Sequence, residues 1–187
     1  MAAPHGLTRP SARAEFDITT PGGASLHVRP IGPDDRERLA AAFEALSERS
    51  RQRRFLVPKP RLSSAELTYL TEVDHRTHEA LVAVDPATDR IVGVARYASA
   101  ADATGVAEVA VVVADEWQRR GIGTRLLLDL RERAVENGVA RLVATTLHEN
   151  RAARVVLRRT GFRTRQMGGG MVDLVLELDA AEERAPR

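Results

Sequence analysis

The chain has 187 residues, enough for one domain with a substantial core. It has no cysteine, which excludes disulfides, thiolate catalysis and cysteine-held metals, and no stretch of about 18 apolar residues that would span a membrane. A net charge of +2 is too mild to mark a nucleic-acid binder, and with no signal-peptide apolar region at the N-terminus a cytoplasmic protein is expected.

Residues 1–23 mix proline, glycine, serine and charge without periodicity, which predicts a mobile tail ending in a short strand. Leu26 to Pro30 alternates as a strand does. Gly32-Pro33-Asp34-Asp35 then opens a helix, with proline in the first turn and two acids at the positive end of the dipole. Leu46 to Phe55 is a second, arginine-rich helix, broken by Pro58 and Pro60. Ser63 with Glu66 three residues on forms a capping-box pattern for a third. His78 to Val84 and Ile91 to Tyr97 read as strands joined by the turn formers Asp85 to Asp89, and Ala100 to Thr104 reads as the next turn. Glu108 to Val113 is a β-branched strand, apolar except at its first residue. A polar bend and a glycine turn lead to a helix from Arg125 to Asn137 that puts Leu126, Leu127, Leu130 and Ala134 inward. The strand Arg141 to Leu147 must run parallel to the Glu108 strand, because a helix separates them. A helix over 150–159 and a hairpin, Phe162–Arg165 with Met171–Leu178, complete the domain. The expected boundaries are 24–179 for the domain and 180–187 for a charged tail.

The turn between strand and helix reads Gln118-Arg119-Arg120-Gly121-Ile122-Gly123-Thr124. Its glycines let a ligand approach the backbone, and the free N–H groups of the first helical turn suit an anion. The turn lacks the Gly-Lys-Ser/Thr ending of a P-loop and the third glycine of a dinucleotide fingerprint. The Gln-x-x-Gly-x-Gly spacing, together with Asn150-x-x-Ala153-x-x-x-Leu157-x-x-x-Gly161-Phe162, resembles the two hallmark segments of the GNAT acetyltransferase superfamily. The resemblance implies an α/β fold: a mixed, mostly antiparallel sheet of about six to seven strands with helices on both faces. It implies acetyl-CoA as co-substrate, its pantetheine beside Ala110, Val111, Val112 and Val113, its pyrophosphate on Gln118 to Thr124, and further contacts from Asn150, Arg154 and Arg159. The Leu46–Phe55 segment, the Asp74–Ala80 run and Ala107-Glu108-Val109-Ala110 look like bacterial protein lysine acetyltransferases of the Pat type. Those enzymes modify lysines of acyl-CoA synthetases, and their catalytic glutamate matches Glu108. Several carry a fused regulatory domain, such as a cyclic-nucleotide-binding one; the short tail ahead of residue 24 is not expected to hold one.

Amine acetylation needs a neutral amine. A lysine of pKa about 10.4 is neutral roughly once in 2,500 at pH 7, a cost of about 4.6 kcal/mol, which a carboxylate near the acceptor offsets by taking the proton. Glu108, an acid in an apolar strand, is the expected base, with burial raising its pKa; Glu79 is the second choice. Where many family members place a tyrosine as general acid this chain has Leu157, and its tyrosines, Tyr69 and Tyr97, lie elsewhere. Asp74, His75 and His78 lack a further ligand set and read as a polar loop, so no metal is expected. The expected partner is an amine acceptor, protein lysine foremost, with no nucleic acid or membrane, and the chain acting as monomer or homodimer. A small amine, a protein N-terminus, or acyl-CoA binding without turnover are the competing readings.

Overall fold

The computed structural model describes residues 15–99 and 105–178; the N-terminal tail, the turn after Ser99 and the charged C-terminal tail lie largely or wholly outside them. Eight strands form one sheet among these residues, one or two more than expected. They are β1 Phe16–Thr19, β2 Ser25–Pro30, β3 His78–Asp85, β4 Arg90–Ser99, β5 Val106–Val113, β6 Arg141–Leu147, β7 Arg163–Gly168 and β8 Met171–Glu177, in the order β1-β2-β3-β4-β5-β6-β8-β7. The short strand anticipated at the end of the tail is β1. It pairs with β2, so the sheet starts at Phe16, ahead of the boundary drawn at residue 24. Every pairing is antiparallel except β5 with β6, the pair separated by a helix crossover.

The helices are α1 Arg36–Ala45, α2 Glu48–Phe55, α3 Ser64–Thr71, α4 Ile122–Glu136 and α5 Arg151–Arg159. α4 begins at Ile122 rather than Arg125, because Gly121 with φ 82° serves as its N-cap. On one face of the sheet α4 and α5 bury Leu126, Leu130 and Leu157 against Val109, Leu142 and Leu174. On the other face Leu39 of α1 and Leu70 of α3 meet Ala80, Val82 and Val94. Ser63 and Glu66 make the expected capping box on α3. Among the described residues no helix is long and apolar enough to cross a membrane.

α2 has few apolar residues, so its placement depends on polar anchoring. Asp115, just beyond β5, accepts hydrogen bonds from the Ser47 N–H (2.8 Å) and hydroxyl (3.1 Å) and from the Ser50 hydroxyl (2.7 Å). A carboxylate at a helix N-terminus complements the dipole and satisfies donors that the helix leaves open. This clamp fixes α2 across the end of β5.

The Asp74 run forms a tight polar turn, as read from the sequence. The Asp74 carboxylate accepts from the Arg76 and His78 N–H groups and the Thr77 hydroxyl. Burial opposes its ionisation, yet these bonds hold its pKa at about 2. Next to it, His75 Nδ1 lies 2.8 Å from Glu79 Oε1, and that bond prevails over burial to raise the imidazole pKa. A raised histidine pKa contributes stability that is full below about pH 6.5 and is lost as pH rises through the native value. The melting temperature of the native protein relative to His75→Gln is therefore expected to fall across that window. A constant difference from pH 6 to 9 in thermal melts would show that folding leaves the His75 pKa unchanged.

Candidate active site

β5 and β6 form a fork. They pair only at Val106↔Arg141, Ala107↔Leu142 and Glu108↔Val143, and beyond that point they diverge. The Ala114 N–H donates to the Val92 carbonyl at 2.8 Å. Alternation along an antiparallel ladder then ties the even-numbered residues of β5 to β4 and turns the backbone of Val111 and Val113 toward the gap. Ala110 and Val112, expected beside the ligand backbone to backbone, spend those groups on β4. The gap is therefore a strand edge without a partner strand, which suits an extended ligand carrying amides.

The gap widens into a cleft of about 550 Å³ that runs to the N-terminus of α4. Of the residues read from the sequence it is lined by Glu108, Ala110 to Val113, Gln118, Arg119, Gly121 to Thr124, Asn150 and Arg159. Its walls also take Arg53 and Arg54 of the basic α2 segment, which the sequence offered as a substrate-docking surface, Arg151 of the α5 arginine face, and Trp117 and Thr145, which sequence reasoning did not single out. Arg120 and Arg154 are not part of the lining. Arg120 bonds the Glu116 carbonyl at 2.8 Å and stacks over Trp117, and Arg154 bonds the His148 carbonyl at 3.0 Å. Arg53, Arg54, Arg119, Arg151 and Arg159 face the cleft against a single carboxylate, Glu108. The field inside is positive, as an anionic ligand requires.

The two glycines act differently. Gly121 has φ 82°, and a Cβ there would meet nothing within 4 Å, so backbone conformation selects it. Gly123 has no such φ, and a Cβ there would sit 3.5 Å from Val113, 3.7 Å from Val111 and 3.9 Å from Val156, in ordinary contact. The fold tolerates a methyl at 123; the cleft would lose the space. Gly123→Ala is accordingly expected to keep the melting temperature within about 2 °C while weakening acetyl-CoA binding by about tenfold, read by calorimetric titration. Gln118 serves the loop itself: its amide donates to the Val113 carbonyl (3.1 Å) and approaches Asp115 (3.3 Å) and Ser50 (3.4 Å). Asn150 caps α5, its side-chain oxygen accepting from the Ala153 N–H at 3.2 Å.

Glu108 corrects an expectation. It is exposed rather than buried: its side chain shares the Val112 face of β5 and lines the open cleft where β5 and β6 part. Val109, next to it, is 4 % exposed on the opposite face. Glu79 is withdrawn as a base: it is 3 % exposed, binds His75 and the Ala80 N–H at 2.8 Å each, and does not line the cleft. The Tyr97 phenol, buried between the Arg76 carbonyl and the Asn137 amide, is pushed up to about 12 by burial and lies outside the cleft. Leu157, 4 % exposed, occupies the wall where the family tyrosine is expected. No cluster of metal-ligating side chains occurs among the described residues.

A strand fork that runs into a glycine turn at a helix N-terminus, cationic along its length and with one carboxylate at its apex, has the shape and charge to take an extended anionic ligand. The profile of the Acetyltransferase (GNAT) family matches residues 42–162, and the chain belongs to that family. It is similar to Acetyltransferase Pat of Mycolicibacterium smegmatis, 36 % identical over 140 residues covering 74 % of this chain and 41 % of that protein. It is also similar to Acetyltransferase PA5475 of Pseudomonas aeruginosa, 32 % identical over 142 residues, covering 75 % of this chain and 76 % of the relative. The crystal structure of the GNAT domain of S. lividans PAT superposes with a TM-score of 0.81 at 31 % identity, covering 88 % of this chain and 97 % of that one. The chain is thus a Pat-like GNAT acetyltransferase that spans less than half the length of the M. smegmatis relative.

Proposed function

We propose that the protein transfers an acetyl group from acetyl-CoA to a lysine amine of a protein acceptor, an acyl-CoA synthetase being one such acceptor, with Glu108 as general base. The observation that carries this reading is the fork: an unpaired strand edge ends in the α4 N-terminus, and the single carboxylate of the cleft stands at its apex. The fit to acetyl-CoA rests on the space kept open by Gly123, the unpaired edge of β5 at Val111, and the arginines of the lining. The first-turn N–H groups of α4, with Arg119 near them, would hold the pyrophosphate. Arg151 and Arg159 at the two ends of α5 face the cleft and add charge to the same ligand.

Acetyl-CoA supplies the activated acetyl group as a thioester. Glu108 accepts the proton of the incoming ammonium, directly or through a water, and so offsets the cost of deprotonating lysine. Its exposure leaves it open to the acceptor. A β5 amide facing the gap, that of Val111, donates to the carbonyl oxygen as negative charge develops there. Leu157 offers no proton to the departing sulfur, so the proton taken from the amine is the one available for it.

The test is acetyl-lysine mass spectrometry on a deacetylated protein extract incubated with acetyl-CoA and either the native enzyme or Glu108→Gln. Sites that gain acetyl groups with the native enzyme alone support the reading. If both match the enzyme-free control, protein lysine is not the acceptor.

A further inference from the structure

A second cavity, of about 50 Å³, lies on the face of the sheet covered by α1 to α3, between those helices and β4 and β5. Its walls are apolar, with Leu39, Phe43, Phe55, Leu70 and Val94 among them. Two guanidiniums, Arg54 and Arg96, join this apolar lining. Arg54 lines the main cleft as well, and so do Ala110 and Val112, so the chamber adjoins the place where the acceptor meets Glu108.

Neither cation has an anionic partner at bonding distance among the described residues. Arg96 is 6 % exposed and bonds the Leu70 carbonyl at 2.9 Å and His78 Nε2 at 3.2 Å. His78 is no counter-ion: burial, then the charge of Arg96, pushes its pKa down to about 4, leaving the ring neutral. Arg54 stacks over the Phe55 ring at 4.8 Å, and burial lowers its pKa while the charge of Glu108 opposes that shift. Arg54 and Arg96 also repel each other. Buried charges are ordinarily paired, and a carbonyl or a neutral ring satisfies the hydrogen bonds of buried Arg96 without cancelling its charge, while Arg54 beside it is half-buried. Two cations in one apolar wall therefore mark a place that an anion would occupy favourably.

We infer that the amine acceptor carries a carboxylate, its amine reaching Glu108 while its carboxylate engages Arg54 and Arg96. This rests on the acetyltransferase reading above and narrows its acceptor. The carboxylate has two possible sources: an acidic residue flanking the target lysine of a polypeptide, or the free carboxyl group of an amino acid. Guanidinium recognises either as a charge-assisted, bidentate pair.

The experiment measures kcat/KM for two matched pairs of acceptors with saturating acetyl-CoA. One pair is a capped peptide with Glu or Gln beside its lysine; the other is Nα-acetyl-lysine or its carboxamide. The carboxylate member of at least one pair is expected to be preferred by about tenfold or more. The pair that shows the preference identifies the source. In Arg54→Gln that ratio collapses toward one, whereas Arg54→Lys keeps part of it. Indifference of the native enzyme in both pairs, or an equal loss for both members in Arg54→Gln, overturns the inference. The native comparison decides even if a variant fails to fold. Turnover without preference sinks this inference alone; acetyl-CoA binding with no turnover of any acceptor sinks it together with the acetyltransferase reading.

Discussion

Glu108→Gln is expected to lower kcat/KM for a lysine acceptor by about 10²- to 10⁴-fold at neutral pH, the usual contribution of a positioned general base. Acetyl-CoA affinity is expected to stay within about twofold, because the Glu108 side chain shares the acceptor face with Val112 while Val109 and the α4 core lie on the other. The pH profile separates a base from a residue that merely packs. As pH rises toward the amine's own pKa near 10.4, the acceptor deprotonates unaided and the defect of the variant shrinks. A defect of constant size from pH 7 to 10 in steady-state assays would assign Glu108 a task independent of the amine's protonation, such as holding the shape of the fork.

The second large effect is on stability. Asp35 is 1 % exposed and anchors the start of α1 to β2: its carboxylate accepts from Arg29 at 2.6 and 2.7 Å and from the Gly32 N–H at 2.9 Å. Asp35→Ala leaves Arg29 without its partner and a backbone donor without its acceptor. Breaking such a pair typically costs about 3–5 kcal/mol, and the partial exposure of Arg29 argues for the lower end. For a chain of this size about 3 kcal/mol lowers the melting temperature by roughly 6–12 °C. Burial alone would raise the Asp35 pKa, but the Arg29 and Gly32 bonds outweigh it and depress the value. A depressed carboxylate contributes stability above its unfolded pKa and loses it as pH falls through the native one. The gap between native protein and variant should therefore close below about pH 4. Calorimetric melts at pH 7 and pH 3 check both statements, and equal melting temperatures at pH 7 would show that water replaces the carboxylate.

Much of the fold was legible because its signals are local. Ser63 with Glu66 specifies a cap within four residues, Val109 to Val113 can hardly be other than a strand, and two glycines between strand and helix mark a close approach. The helix crossover from β5 to β6 imposed their parallel pairing. Gly121 and Gly123 looked alike in the sequence, however, and only the backbone angles and neighbours separate a conformational glycine from one that keeps a cleft open. Arg120 and Arg154 carry the right charge at plausible spacings, but nearby carbonyls claim them. Arg151 and Arg54, which do reach the cleft, gave no stronger signal than their neighbours.

What the sequence determined by itself was the order of elements, the glycine turn and the identity of the acid on β5, all set by residues within a turn or two of one another. Tertiary structure decided the rest. It opened the fork after Glu108↔Val143, left Glu108 exposed where an apolar strand suggested burial, and clamped α2 onto β5 through Asp115 and Ser47, 68 positions apart. Each of these depends on contacts between segments far apart in the chain. A side chain's burial is a property of what packs over it, and no local pattern of residues contains that.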